Sequence, residues 1–346
     1  MVLTILVAIV FLLILVIGHE FGHFISAKLS GATVEEFGIG FPPRIAAKKI
    51  GETEYSINAI PFGGFVKIHG ENAGEDSAHS DNTKRSFTDL SVIKKIIVIA
   101  SGVVMNLLIA WMAFSAVFII GLPQKTVIDA VSPNSPAASS GLLPGDQILN
   151  FNTPESFTSF MTASAGHEVS FQISRKGETK IITATPLVNP PEGVGHLGVA
   201  VVQGGVPREG LISSLADGFR FTMNSAYSIF ATLTGLVKGV LFGEWGRLSD
   251  VTGPVGVFGV IGQATTLGFT YLLELLGLIS VNLAVVNILP FPALDGGRIV
   301  MILVQKLNPR IISEKLEGII NVSGLVFLLF LMLVITIRDV SHILGF

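Results

Sequence analysis

Four apolar stretches, at about 2–25, 96–120, 271–290 and 320–338, dominate this sequence. Each approaches the roughly 20 residues that an α-helix needs to cross hydrocarbon. Inside lipid every backbone N–H and C=O has to be paired within the protein, so a lone apolar stretch of that length can only be a helix. Composition points the same way, because only 14% of the residues are charged against about 25% in soluble domains. The expected fold class is a polytopic α-helical membrane protein with about four transmembrane helices. The first stretch lacks the positive start and small-residue cleavage site of a signal peptide, and His19, Glu20 and His23 lie at its end, so it reads as a retained helix. A net charge of −3 gives no basis for a nucleic-acid partner. Cysteine is absent, which excludes disulfides and thiolate ligands and leaves any metal to His, Asp or Glu.

Basic residues divide the chain by side. Lys28, Arg44, Lys48, Lys49, Lys67, Lys84, Arg85, Lys94 and Lys95 lie between the first two stretches, and Arg298, Lys306, Arg310 and Lys315 lie between the last two. The positive-inside rule puts both segments in the cytoplasm and 121–270 outside; Arg338, after the last stretch, runs against it. The polar segment 72–90 reads as a flexible cytoplasmic loop. Alternating runs at 169–174 and 180–186 flank a helix candidate at 154–164, the signature of a small α+β unit. The Pro/Gly-rich stretch 189–210 either supplies that unit's last strand or links onward. Residues 211–240 tempt a fifth span, but Asp217, Arg220 and Lys238 interrupt them. A fifth span would also move Asp295 to the side opposite His19, so the segment reads as an amphipathic interfacial helix. The expected division is a membrane core at 1–123, an α+β domain at 124–205, an outer linker with an amphipathic segment at 206–270 and a second membrane core at 271–346.

His19-Glu20-Phe21-Gly22-His23 is an HExxH sequence. On a helix, residues four apart share a face, so both imidazoles reach one Zn²⁺ while Glu20 stands beside it as general base toward the attacking water. Two imidazoles and a carboxylate on an apolar helix cost roughly 2–3 kcal/mol or more per charged group unless something satisfies them. Helix–helix adhesion is the bland way to satisfy them. Zinc in hydrolytic sites usually takes a third protein ligand. Glu35 and Glu36 follow at a distance where soluble metalloproteases find one, but their polar neighbours suit solvated charges. The alternative is Asp295 in NILPFPALDGGR (287–298). There Pro290 and Pro292 break the helix and Gly296-Gly297 let the backbone turn. An Asp in an irregular turn at membrane depth is expected only where it lines a cavity or binds something.

At these residues the sequence resembles the site-2 protease family (M50), in its bacterial RseP-type branch of regulated intramembrane metalloproteases. HEFGH matches the family's zinc motif, and NILPFPALDGG its second motif, with Asp295 in the third-ligand position. FGIGFPPR (37–44), PFGGFVKIHGE (61–71), SGVVMNLLIA (101–110) with a Gly-x-x-x-Asn pattern, and TGPVGVFGVIGQA (252–264) match further family segments. SPNSPAASSGLLPGDQILNFN (132–152) resembles the front of a PDZ domain, and the chain has room for one such domain where some relatives carry two. The resemblance implies a zinc endopeptidase in the bacterial cytoplasmic membrane, acting on single-pass membrane proteins such as trimmed anti-sigma factors or remnant signal peptides. The active site would face the cytoplasm and the PDZ domain the outside.

A helix is a poor protease substrate and has to be unwound first. PFGGFVKIHG, with Gly63, Gly64 and Phe65, reads as a Gly-Gly turn opening a short hairpin whose free edge pairs with the unwound substrate, or else merely covers the membrane surface. Asn106, Asn282 and Asn287 are amides in apolar helices, suited to substrate backbone or oxyanion and equally to interhelical adhesion; Asn287 shares the broken turn of Asp295 and favours substrate. The PDZ-like segment either reads the outer part of a substrate or only excludes bulky ones. His69, His79, His167 and His196 read as unrelated to zinc. Two other classes compete: a membrane-anchored binding module with structural zinc, which has no need of Glu20, and a metal transporter, which would spread polar residues along several spans.

Overall fold

The computed structural model describes residues 2–71, 85–175, 177–191, 194–243, 253–308 and 314–344. Residues 72–84 of the expected polar loop, with His79 and Lys84, lie outside this set, as does Arg310. The chain divides into two compact units, one built from 1–116 and 212–346 and the other from 117–211.

Four helices of the first unit are long and apolar enough to cross a membrane: α1 (Val2–Ser30), α2 (Val92–Ile120), α7 (Phe269–Asn287) and α9 (Glu314–Leu344). The chain is thus a polytopic membrane protein. Helices α1, α2 and α7 meet around Phe11, Leu15, Ala113 and Leu276. Lipid supplies no hydrophobic drive between helices, so close approach rests on small residues. Gly18 and Gly22 on α1, four residues apart, provide it: a Cβ at Gly22 would overlap the Ser101 carbonyl of α2, and one at Gly18 the Ile109 side chain. On α7, Gly277 takes the ring of Phe114, and the Ser280 hydroxyl donates to the Asn106 carbonyl at 2.7 Å.

Between α1 and α2 the chain forms a hairpin of β1 (Val34–Ile50) and β2 (Thr53–Ile68) that folds back on itself, so that residues 36–39 pair with 64–67 on one side and with 54–57 on the other. The expected Gly-Gly turn at 63–64 is not the tip of the hairpin, but it adjoins the bend between Ile57 and Gly64 where β2 reverses direction. Gly64 pairs with Ile39 and Phe65 with Gly38, and the tip between β1 and β2 comes at Gly51-Glu52, where Gly51 has φ 64°. Two residues with a left-handed glycine close a hairpin without splaying its strands. Gly63 and Gly64 instead accommodate packing, since a Cβ at Gly63 (φ 139°) would meet the Phe41 ring. The hairpin's base, a 3-10 turn at Phe87–Asp89 and the ends of α1 and α2 enclose a second core of Phe24, Val34, Phe37, Ile68, Phe87 and Ile99.

The stretch 211–240 forms a single helix, α5 (Leu211–Leu241). Asp217 and Arg220 pair across one turn at 3.0 Å, and the helix is not among the four with the length and apolarity of a span. It lies against α2, where Trp111 donates to the Leu215 carbonyl at 2.8 Å and stacks edge-on with Phe219. The expected outer linker also holds a fourteen-residue apolar helix, α6 (Pro254–Leu267). At about 1.5 Å per residue it is too short to span. Asp339 of α9 accepts the Gly256 amide of its first turn at 3.0 Å, capping a helix whose own N-cap, Gly253, has no side chain to offer.

The second unit is a five-stranded sheet in the order β6-β5-β4-β3-β7, with β3 (Leu122–Val131), β4 (Gln147–Ile148), β5 (Val169–Arg175), β6 (Glu178–Ala184) and β7 (Val199–Val206). Its neighbouring strands all run antiparallel. The Pro/Gly-rich stretch contributes its last strand. Helices α3 (Pro136–Ser139) and α4 (Pro154–Ala163) start at Ser135 and Thr153, each accepting a first-turn amide, with Pro next in line. Alternation along β5 sends Phe171 and Ile173 inward against Ile128, Leu142, Phe157 and Met161. Each such side chain contributes about 1.5–3 kcal/mol by leaving water.

One buried charge organises this unit. Asp146 accepts the Leu143 amide at 2.9 Å and takes Arg175 on both carboxylate oxygens, at 2.7 and 2.6 Å. Burial pushes the carboxyl up, but the Arg175 hydrogen bonds outweigh it and hold Asp146 below the usual carboxylate range. A carboxyl depressed on folding adds stability that is complete above its unfolded pKa of about 3.9 and is lost as pH falls through its folded value. Thermal unfolding of the unit, followed by circular dichroism, should therefore soften on acidification below that range. Asp146→Asn should lower the melting temperature at neutral pH and flatten this acid dependence.

Candidate metal centre

Two imidazoles and one carboxylate converge where α1, α2 and the start of α8 (Asp295–Leu307) meet. One coordinating atom from each of His19, His23 and Asp295 lies within 4.8 Å of the others. The Nε2 atoms of His19 and His23 are 3.2 Å apart, and Asp295 Oδ2 is 3.2 Å from the first and 3.6 Å from the second. Asp295 Oδ2 is buried and without a well-aligned hydrogen-bond donor.

Each of the three side chains is aimed by a neighbour. His23 Nδ1 donates to the Val98 carbonyl at 2.8 Å, which leaves its Nε2 lone pair facing the cluster. Asn106, only 1% exposed, stands 3.3 Å from His19 Nδ1. Its amide oxygen is buried without a partner. The two ends of an amide have nearly the same shape, and with the oxygen toward the ring His19 Nδ1–H gains an acceptor and the orphaned oxygen a donor. His19 Nε2 is then the lone pair that faces the cluster, in the arrangement usual for metal-bound histidines. Asp295 is delivered by the broken chain after α7. Ala293 has φ 71°, its amide donates to Asn321 of α9 at 3.3 Å, and a Cβ on Gly296 or Gly297 would overlap the carbonyls of Ile288 or Phe291. Only glycines let α8 begin so close beneath the turn.

A cavity of about 230 Å³ opens in front of the cluster, lined by Glu20, Val66, Ile68, Glu71, Asn287 and Arg298 together with the three residues named and Ala293. Glu20 thus stands beside the three clustered side chains without joining them. Asn287 Nδ2 is 3.4 Å from His19 Nε2. A Cβ on Gly64 would sit 3.5 Å from the Glu20 side chain, so β2 passes directly over it. The other residues singled out for substrate lie elsewhere. Asn106 is behind His19 and reaches the imidazole, not the cavity. Asn282 is exposed on α7 and lines no part of the cavity; five helical residues turn it about 140° from Asn287. Gly63 and Phe65 pack within the hairpin, against Phe41 and Gly38. Glu35 and Glu36, the other acidic candidates, are engaged by His69 at 3.0 Å and by Arg44 at 2.8 Å.

Three contributors carried little sequence signal. Gly102 of α2 lies flat against both imidazoles, and a Cβ there would overlap His23 Nε2 and come within 2.6 Å of His19 Cε1. Its place four residues before Asn106 was the available clue. Glu71 and Arg298 both line the cavity and meet in an ion pair at 2.7 Å, and only the fold pairs them.

The profile of the family described as "Peptidase family M50" matches residues 7–331. Two clostridial proteins that share the printed name "Putative zinc metalloprotease" are similar along the chain. That of Clostridium perfringens is 35% identical over 331 residues, covering 94% of this chain and 95% of its own, and that of Clostridium acetobutylicum is 32% identical over 99% of both. Zinc metalloprotease RasP of Shouchella clausii is 28% identical over 99% of this chain and all of its own.

Contacts that aim the imidazoles in this way predict graded effects on metal retention. Asn106→Ala should weaken metal binding by about 10- to 100-fold. Gly102→Val should abolish it by displacing the imidazoles while leaving membrane insertion intact. Metal content by atomic emission on purified protein, with protease accessibility in membranes as the insertion control, checks both.

Proposed function

This chain belongs to peptidase family M50 and is a zinc metalloendopeptidase, and from that premise we propose that it cuts single-pass membrane proteins at the His19–His23–Asp295 cluster, with Glu20 as general base. The observation that carries the proposal is the convergence of three acceptor atoms with a non-ligand carboxylate beside them in a polar cavity. Two neutral imidazoles and one carboxylate are the donor set of an open, hydrolytic zinc site. Zinc, when bound there, supplies Lewis acidity, polarising the scissile carbonyl and lowering the pKa of water.

The chain's own residues do the rest. Glu20 takes a proton from the attacking water and hands it to the departing amine as the C–N bond breaks. His19 and His23 are held in their metal-binding tautomers by Asn106 and the Val98 carbonyl. Asn287, at the cavity wall, donates to the substrate main chain near the cut. The unwound substrate lies along the free edge of β2, whose Val66 and Ile68 line the cavity, as an added strand. Gly64 leaves room for that approach above Glu20.

The basic segments between the spans support a cytoplasmic position for hairpin and cluster. On the same reading residues 117–211 form a PDZ domain outside the cytoplasmic membrane, where it reads or excludes the outer part of a substrate. Anti-sigma-factor-like proteins and remnant signal peptides are the substrate classes that fit.

Cleavage of a tagged single-pass reporter in membranes tests the roles. Glu20→Gln should retain zinc and lose about 10²- to 10⁴-fold in rate, and Asp295→Asn should lose zinc and activity together. Parent-like cleavage by Glu20→Gln would remove the general base from this scheme.

A further inference from the structure

Among the described residues that line the cavity, Arg298 carries the one guanidinium or ammonium group. It follows Asp295 by three residues on α8, so the two share a helical face. Its Nη1 donates to Glu71 Oε1 at 2.7 Å, with the Glu71 side chain 12% exposed and that of Arg298 28%. A guanidinium presents five N–H donors in a rigid fork. No other side-chain partner of Arg298 is found among the described residues, so donors remain free toward the cavity.

Glu71 balances the charge of the guanidinium but takes only part of its donor fork, so the remaining N–H groups of this cavity-lining residue suit a hydrogen-bond acceptor on whatever occupies the cavity. The occupant of a peptidase cavity provides one, first as main-chain carbonyl oxygens and then as the carboxylate that hydrolysis leaves. We propose that Arg298, oriented by Glu71, binds the substrate main chain, donating to a carbonyl beside the scissile bond and to the product carboxylate. Glu71 is a positioning residue. It holds the guanidinium at the cavity wall, with the rest of its donors available to an occupant. The inference rests on the cluster being the hydrolytic site.

A purely structural role for this ion pair predicts something different, because a latch between the end of the hairpin and α8 would work with its charges exchanged. The test uses the whole chain with the tagged reporter over a concentration series, and zinc content is measured on every variant. Arg298→Ala should keep its zinc and lower kcat/KM by about ten- to a hundredfold, mainly through KM, with partial recovery on adding free guanidinium. Arg298→Lys keeps the charge but not the fork, and should lose several-fold with the same KM signature. Glu71→Gln should shift KM in the same direction by less. The double exchange Glu71→Arg with Arg298→Glu should stay impaired. Recovery in the double exchange would overturn the proposal in favour of a latch, and so would Arg298→Lys matching the parent. If Arg298→Ala fails to accumulate, the lysine variant and the exchange decide alone. Failure of the underlying hydrolytic reading shows separately, as undiminished cleavage by Glu20→Gln.

Discussion

Lone pairs from His19 Nε2, His23 Nε2 and Asp295 Oδ2 point at one another over 3.2–3.6 Å, and such an arrangement repels itself unless a cation sits among them. Most of the surrounding geometry is intelligible as the means of holding these atoms in that unfavourable proximity. A carbonyl and an amide fix the outward nitrogens of the two rings, so neither can turn its N–H inward to relieve the strain. A zinc-dependent family membership and a donor set of this kind fit each other, because zinc affinity is what offsets the convergence.

Convergence requires backbones to come unusually close, and glycine is how the chain achieves it. Gly18 and Gly22 bring α1 against α2, and Gly102 gives the imidazoles a flat wall. Gly296 and Gly297 let α8 start beneath the Ile288–Pro292 turn and so deliver Asp295. Because HExxH overlaps the small-residue pair on α1, the face that packs and the face that binds are separated by only part of a turn. Asn321 then reaches from α9 to hold the Ala293 amide of the turn. These contacts tie the cluster to four separate helices, and such a site is sensitive to changes in any of them.

Several polar groups within the membrane unit are paired, which offsets the cost of leaving them unsatisfied in hydrocarbon. Asp339 caps α6, Ser280 ties α7 to α2, and Trp111 anchors α5. The second unit follows the rules of a water-soluble domain instead. Strand alternation and Ser and Thr helix caps define it, and one buried carboxylate gathers a loop and a strand.

The spans were legible in the sequence because lipid leaves an apolar stretch no choice but helix, and α1, α2, α7 and α9 follow at once. HExxH was legible because both histidines lie on one helix, where spacing alone sets the face. The strands around 169–184 announced themselves by alternation. The hairpin was legible only in part: Gly63-Gly64 adjoins the bend where β2 doubles back, while the tip at Gly51-Glu52 and the double pairing of residues 36–39 depend on contacts between segments that no local signal encodes. Asn106, Asn282 and Asn287 were indistinguishable as amides in apolar helices, and only packing put one behind His19, one on the exposed face and one at the cavity. The sequence by itself determined which segments are helices and which residues could bind a metal, since both depend on periodicity within one element. Tertiary structure alone decided that Asp295 meets His19, that Gly102 lies against the imidazoles and that Arg298 faces Glu71, because these contacts join residues far apart in the chain through helix packing that no local pattern encodes.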